Sequence, residues 1–161
     1  MTPAQLSALK SEIQTDPLAI GYLPYRPNDP QHIADLMNAI GTAKCLKPRS
    51  ITARTILSEC SGGGTILDAL DRASAGIVTA PMTLELQSSI KWALKFLGQD
   101  SGVDAGNPAT QSLIDACVSV GTLTTVQGAA LKNTAMVACS RAETLGLGSV
   151  TARNIVDSGA N

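Results

Sequence analysis

The sequence predicts an all-α protein, a compact bundle of about seven or eight short helices joined by Pro- and Gly-rich connectors. Three observations lead to that class. Apolar residues recur at helical spacing in segment after segment. Most of these segments open on a Thr, Ser, Asp or Asn that can accept backbone N–H groups, and close at Gly or before Pro. No alternating apolar and polar run is long enough to compete as a strand, the nearest, Gly76 to Thr79, reading as a connector. With 161 residues, 44% of them hydrophobic and 16% charged, the chain can bury a core of its own, and its composition excludes disorder. It has only one Trp, one Phe and two Tyr, so that core must be built from aliphatic side chains, Met and Ala.

The elements follow in order. Thr2-Pro3-Ala4-Gln5 supplies a cap hydroxyl, a first-turn proline and a glutamine that can reach back, with Leu6, Leu9 and Ile13 on one face. Asp16-Pro17 ends that helix, because proline disfavours helical geometry in the residue before it. Pro17 to Pro30 is an extended, proline-rich connector whose rings, Tyr22 and Tyr25, are expected to pack onto the helices. A second helix starts at Asp29-Pro30, places Ile33, Leu36, Met37 and Ile40 on one face and stops at Gly41. A third runs from about Ile51 to Cys60, with Ala53, Ile56, Leu57 and Cys60 inward, and the Gly62-Gly63-Gly64 run breaks it. Thr65 can cap a fourth, carrying Ile66, Leu67, Leu70 and Ala73 before Gly76. The longest follows Ala80-Pro81, with Met82, Leu86, Ile90, Ala93, Leu94 and Leu97 on one stripe, Trp92 and Phe96 on its shoulder, and Gly98 at its end. After a polar loop, Asn107-Pro108 opens a helix bearing Leu113, Cys117 and Val120 that closes at Gly121. Thr124 and Gln127 have capping-box spacing for a helix through Ala130, Leu131, Val137 and Ala138, restarted at Ser140-Arg141-Ala142-Glu143. Gly146 and Gly148 then make a turn, and Thr151 caps a last helix holding Ile155 and Val156. The expected organisation is one domain, 1–161, with an N-terminal helical pair and its connector at 1–41 and the main bundle at 42–161.

Twelve basic against thirteen acidic residues give a net charge of −1 and a pI near 5.7, which argues against wholesale binding to nucleic acid or to an anionic membrane surface. There is no apolar run of about eighteen residues, and the amphipathic, charged start does not read as an export signal. Cys45, Cys60, Cys117 and Cys139 stand far apart with His32 as the sole imidazole. That spacing gives no zinc set and favours reduced, buried cysteines in a cytosolic protein, two disulfides being the alternative.

Catalytic chemistry finds little to stand on. Cys60 beside the glycine run lacks a neighbouring base, and the glycines lack the Gly-Lys-Ser/Thr of a phosphate loop. Asp100 and Asp104 fall in a loop whose third, sixth and twelfth positions are wrong for calcium, and His32, in the first turn of its helix, reads as a surface or interface residue. The expectation is no enzyme, no cofactor and no metal. What remains are contact elements, the connectors and termini least committed to the core. These are the connector from Tyr22 to Pro30 (Tyr22, Tyr25, Arg26), the acid-free basic stretch Lys44, Lys47, Arg49 and Arg54, and the C-terminal helix.

Two stretches, LKSEIQTDPLAIGYLPY with HIADLMN near the start and NPATQSLIDACVSVGTLTTVQGAALKNTAMVACSRAETLGLGSVTARNIV at the end, resemble small proteins encoded by tailed bacteriophages and prophages. The resemblance covers both ends and most of the chain, without the basic stretch or the glycine run. It implies a virion component, made in the bacterial host cytoplasm, that contacts portal, neck or tail proteins and other copies of itself. It brings no catalytic residues. The alternative class is a soluble phage accessory protein that binds and inhibits a host factor.

Overall fold

The local start and stop signals explain most of the helices in the computed structural model, which describes residues 1–78 and 80–160. Helix α1 (Pro3–Thr15) begins at a reciprocal capping box, Thr2 Oγ1 accepting the Gln5 N–H while Gln5 Oε1 accepts the Thr2 N–H. Helices α2 (Pro30–Asn38), α3 (Ala53–Glu59), α4 (Gly63–Ser74), α5 (Leu84–Leu97), α6 (Pro108–Ser119), α7 (Thr125–Asn133), α8 (Arg141–Thr144) and α9 (Ala152–Ser158) follow. All but α4 have a side-chain cap, from Asp29, Thr52, Thr83, Asn107, Thr124, Ser140 and Thr151. Each such cap satisfies N–H groups that a helix start otherwise leaves unpaired.

The class is helix-rich but not purely all-α. Strands β1 (Ala43–Leu46), β2 (Ser50–Ile51), β3 (Val103–Asp104) and β4 (Met136–Cys139) form two two-stranded sheets among the described residues, β1 with β4 and β2 with β3. The second is antiparallel, with Ser50 opposite Asp104 and Ile51 opposite Val103. These strands correct two sequence expectations: α7 ends at Asn133, so Val137 and Ala138 lie in β4, and Ile51 lies in β2 before Thr52 caps α3. Of the expected connector at Gly76 to Thr79, residues 76–78 are irregular; Thr79 lies outside the described residues, as does Asn161.

The chain divides into two units. Residues 1–45 and 137–161 form the first and residues 46–136 the second, so the second is an insertion into the first. The sequence reading placed its internal division at 41 and grouped all of 42–161 together, whereas the C-terminal segment packs with the N-terminal one. In the first unit α9 packs on α1 and α2, and α2 also meets α8. Its core is Leu9, Ile13, Tyr22, Ile33, Ala34, Met37, Ala142, Leu147, Val150, Ile155 and Ala160. The Asn38 side chain donates to the Val150 carbonyl at 2.7 Å and accepts the Val150 N–H at 3.0 Å, pinning α2 to the turn before α9. Ile40, expected on the buried face of α2, lies beyond its end and is exposed.

In the second unit α3 packs on α4, α4 on α5, α5 on α6 and α6 on α7. Ile56, Ile66, Leu70, Ile90, Leu97, Ile114, Cys117, Leu123 and Leu131 supply most of its core. Leu57, expected inward, is exposed. The chain breaks between α3 and α4 as expected, but only the first glycine of the run lies in the break. Gly62, with φ of 72°, turns the chain, while Gly63 and Gly64 are the first residues of α4, and Thr65 donates to the Gly62 carbonyl instead of capping. A Cβ on Gly63 would stand 2.2 Å from the Ile56 carbonyl oxygen, so the contact of α3 with α4 requires glycine there.

Cys45 and Cys139 are joined by a disulfide, which overturns the expectation of four reduced thiols; Cys60 and Cys117 are free and buried. The bond lies within the first unit, at the end of its first segment and near the start of its second. It therefore closes a loop of 94 residues in sequence separation that contains the whole inserted unit.

Candidate interaction surface

The residues marked by the sequence as contacts separate in the structure. Tyr22 is fully buried in the first unit's core, so it is not available to a partner. The loop that buries it is built by Asp16, which adopts left-handed geometry after α1 and accepts the N–H groups of Ile20 and Gly21, each at 2.7 Å. The Tyr22 hydroxyl makes no hydrogen bond. Burial, then the negative charges of Glu12 and Asp16, push its pKa well above the usual tyrosine range, with Arg141 opposing. Near it runs a buried ion pair: Arg141 Nε and Nη2 donate to the two oxygens of Glu12, each at 2.7 Å. That bidentate bond holds the Arg141 pKa above its ordinary value. Tyr25 is partly buried, its ring stacked on His32 with centroids 3.8 Å apart. Arg26, partly buried, has an enclosed Nε without a hydrogen-bond partner.

The basic stretch is divided. Lys44 is exposed in β1 and belongs to the first unit; Lys47, Arg49 and Arg54 belong to the second. Arg49 is a structural side chain, donating to the Thr134 carbonyl at 2.6 Å and pairing with Glu59. Lys47 and Arg54 are exposed. Asp104, weighed as a calcium ligand, instead accepts the backbone N–H groups of Arg49 at 2.8 Å and Gly106 at 2.9 Å, closing its loop on the segment before β2.

The thiols offer little nucleophilic character. The unit that holds Cys60 and Cys117 contains no histidine. Burial pushes the Cys117 pKa up to about 11, and burial with the nearby Glu59 raises that of Cys60. Among the described residues, one cluster places three candidate ligand atoms within 4.8 Å of one another, Cys45, Cys139 and Glu143. With both sulfurs in the disulfide, neither is a thiolate, the form that binds metal.

The clearest surface feature lies on α5. Thr83 caps this helix, Ile90 and Leu97 anchor it in the second unit's core, and α4 and α6 pack against it. Its outer face carries Leu84, 83% exposed, Trp92, 52%, and Phe96, 45%. Leu84, Ser88, Trp92 and Phe96 follow one another at i+4 spacing and so form a single ridge. The Trp92 and Phe96 rings lie with centroids 6.3 Å apart, and Lys95 Nζ sits 4.6 Å from the centre of the Trp92 ring. Beside the ridge, an open groove of about 480 Å³ runs between α5 and the first half of α6, floored by Ala93, Val103, Ala109, Thr110 and Leu113. Below α5 a small apolar void of about 50 Å³ touches Ile90, Leu97 and Cys117.

The charges are sorted along the helix, Glu85 in its first turn and Lys91 and Lys95 toward its end. The arrangement suits docking, since an apolar ridge supplies contact area and charged flanks set orientation. Sequence reasoning placed Trp92 and Phe96 on the shoulder of this helix but did not mark them as contacts. The available signal was their excess: the helix already had a complete inward stripe without them.

Comparison with family models, with curated proteins and with solved structures finds no match to this chain.

Proposed function

We propose that this chain is a non-enzymatic structural protein of a tailed-phage particle, a subunit of the neck, head–tail junction or tail that acts through protein–protein contacts. One observation carries the reading. The chain has a single Trp and a single Phe, and it holds both at the surface of one helix while the buried residues of its two cores are aliphatic apart from one methionine, two cysteines and one tyrosine. Aromatic side chains are the largest apolar groups available to a core, and Trp in particular is enriched among the residues that dominate binding energy at interfaces. Their placement on the outer face of α5 suits a partner. Exposed Lys44 and Arg54 add basic groups that can meet acidic neighbours.

Two further points support the reading. The disulfide between Cys45 and Cys139 suits a protein that leaves the reducing cytoplasm, as a particle does on release. The resemblance of both ends of the chain to small phage proteins points to the same setting.

The test is incorporation. A double variant, Trp92→Glu with Phe96→Glu, introduced into the encoding genome, removes two exposed side chains that the core does not use. The expected result is a folded protein, by circular dichroism of the purified variant, that is absent from purified particles. Incorporation at the wild-type level would overturn the proposal that α5 is the assembly contact.

A further inference from the structure

The geometry points to a specific occupant for the α5 face: a second copy of this chain, its α5 packed antiparallel against the first about a two-fold axis level with Ile90. This deepens the assembly reading above and rests on it. The ridge is self-complementary about that level. Turning one helix end over end brings Leu84 of one copy to the level of Phe96 of the other, and Ser88 to the level of Trp92. Large thus meets large at the two outer ends, while in the middle the bulky indole is set against the smallest residue of the ridge. A two-fold contact requires a patch that matches its own inverted copy, and this one does.

The charges agree with the same register. The acidic first turn of one helix, with Glu85, comes level with the basic last turn of the other, with Lys95, and Lys91 comes level with the uncharged Ser89. No like charges share a level. The helix dipoles reinforce the arrangement, since the positive start of each helix lies beside the negative end of the other. A parallel pairing would instead put Lys91 and Lys95 against their own copies. An acidic foreign helix could also satisfy Lys91 and Lys95, but it would leave Glu85 beside like charge. The two-fold pairing uses both ends.

Sedimentation velocity over a concentration series up to about 100 µM, in the range where modest interfaces are populated, tests the inference on the whole oxidised chain. The expected result is a monomer–dimer equilibrium that Trp92→Glu weakens by at least about tenfold, the loss expected for an interface anchor. The charge arrangement has its own readout. Glu85→Lys and Lys95→Glu should each weaken the dimer several-fold, and the double variant, which exchanges the two signs, should restore it. These positions are exposed, and unchanged circular dichroism spectra check that the variants fold. A monomer throughout the series, or a dimer indifferent to Trp92→Glu, would overturn the second-copy assignment. If the wild type is monomeric but the α5 double variant is lost from particles, the face serves a different chain and the assembly reading stands. If it is monomeric and the variant still incorporates, both fail.

Discussion

Replacing Gly63 and Gly64 separately by Ala should move stability in opposite directions, although the two residues are adjacent at the start of one helix. Both have ordinary negative φ, since neither is among the glycines in the left-handed region. On propensity alone each substitution should help, by about 0.5–1 kcal/mol at full helical weight and less in a first turn. At Gly64 nothing lies within 4 Å of the new Cβ, so the gain should be seen. At Gly63 the Cβ would stand 2.2 Å from the Ile56 carbonyl oxygen and 2.8 Å from both the Ile56 carbonyl carbon and the Leu57 Cα. Those atoms are backbone of α3, so relief requires α3 and α4 to separate by roughly an ångström. Overpacking of that kind costs about 1–3 kcal/mol, and the separation loosens the core around Ile56 and Ile66. The propensity gain is common to both, so the two variants should differ by the overpacking cost alone, about 1–3 kcal/mol, a large part of a typical domain's stability. Urea unfolding followed by the fluorescence of Trp92, which reports on the second unit, measures the difference. Equal stabilities for the two variants would refute the claim that Gly63 is required by helix contact.

Other expectations concern the first unit and the thiols. Arg141→Met leaves the buried Glu12 carboxylate unpaired and should cost about 3–5 kcal/mol, while converting both partners to apolar residues should recover much of that loss; thermal unfolding of the three proteins compares them. Reducing the Cys45–Cys139 bond should destabilise the first unit by about 2–4 kcal/mol. Alkylation in denaturant should count two thiols, Cys60 and Cys117, before reduction and all four afterwards. Stability should fall at alkaline pH. The Cys117 pKa is raised in the folded state from an ordinary 9 to about 11, so its contribution is complete below pH 9 and lost as pH climbs toward 11. At 1.36 kcal/mol per pH unit the loss totals about 2–3 kcal/mol. Cys117→Ala should flatten that part of the stability profile, and a profile unchanged by it would exclude this cause.

What could be read from the sequence was whatever neighbouring residues decide among themselves. Thr2 with Gln5, Thr124 with Gln127 and Ser140 with Glu143 cap where their spacing indicated, and Thr151 caps the last helix. Long-range partners decided the rest. Strands of two to four residues, such as β2 and β3, have no periodicity to show and exist because Ser50 meets Asp104. Met136 to Cys139 has helical neighbours and helix-compatible residues, yet it pairs with β1. The disulfide joins positions 94 residues apart, a pairing no local spacing can reveal. The sequence shows Gly63 only as one member of a helix-breaking run, whereas its role is its lack of a Cβ. At the interaction surface, Tyr22 was taken for a contact because it lies in a connector, but the Asp16 turn folds it inward. Trp92 and Phe96 were visible as residues beside the inward stripe, and their exposure depended on where α4 and α6 pack.

A building block must be found in the particle it builds. Quantitative mass spectrometry of purified particles from the encoding genome, scaled to the major capsid protein, decides whether this chain is there. The chain should be present at a fixed, reproducible copy number. Complete absence from infectious particles, with the protein abundant in the infected cell, would contradict it.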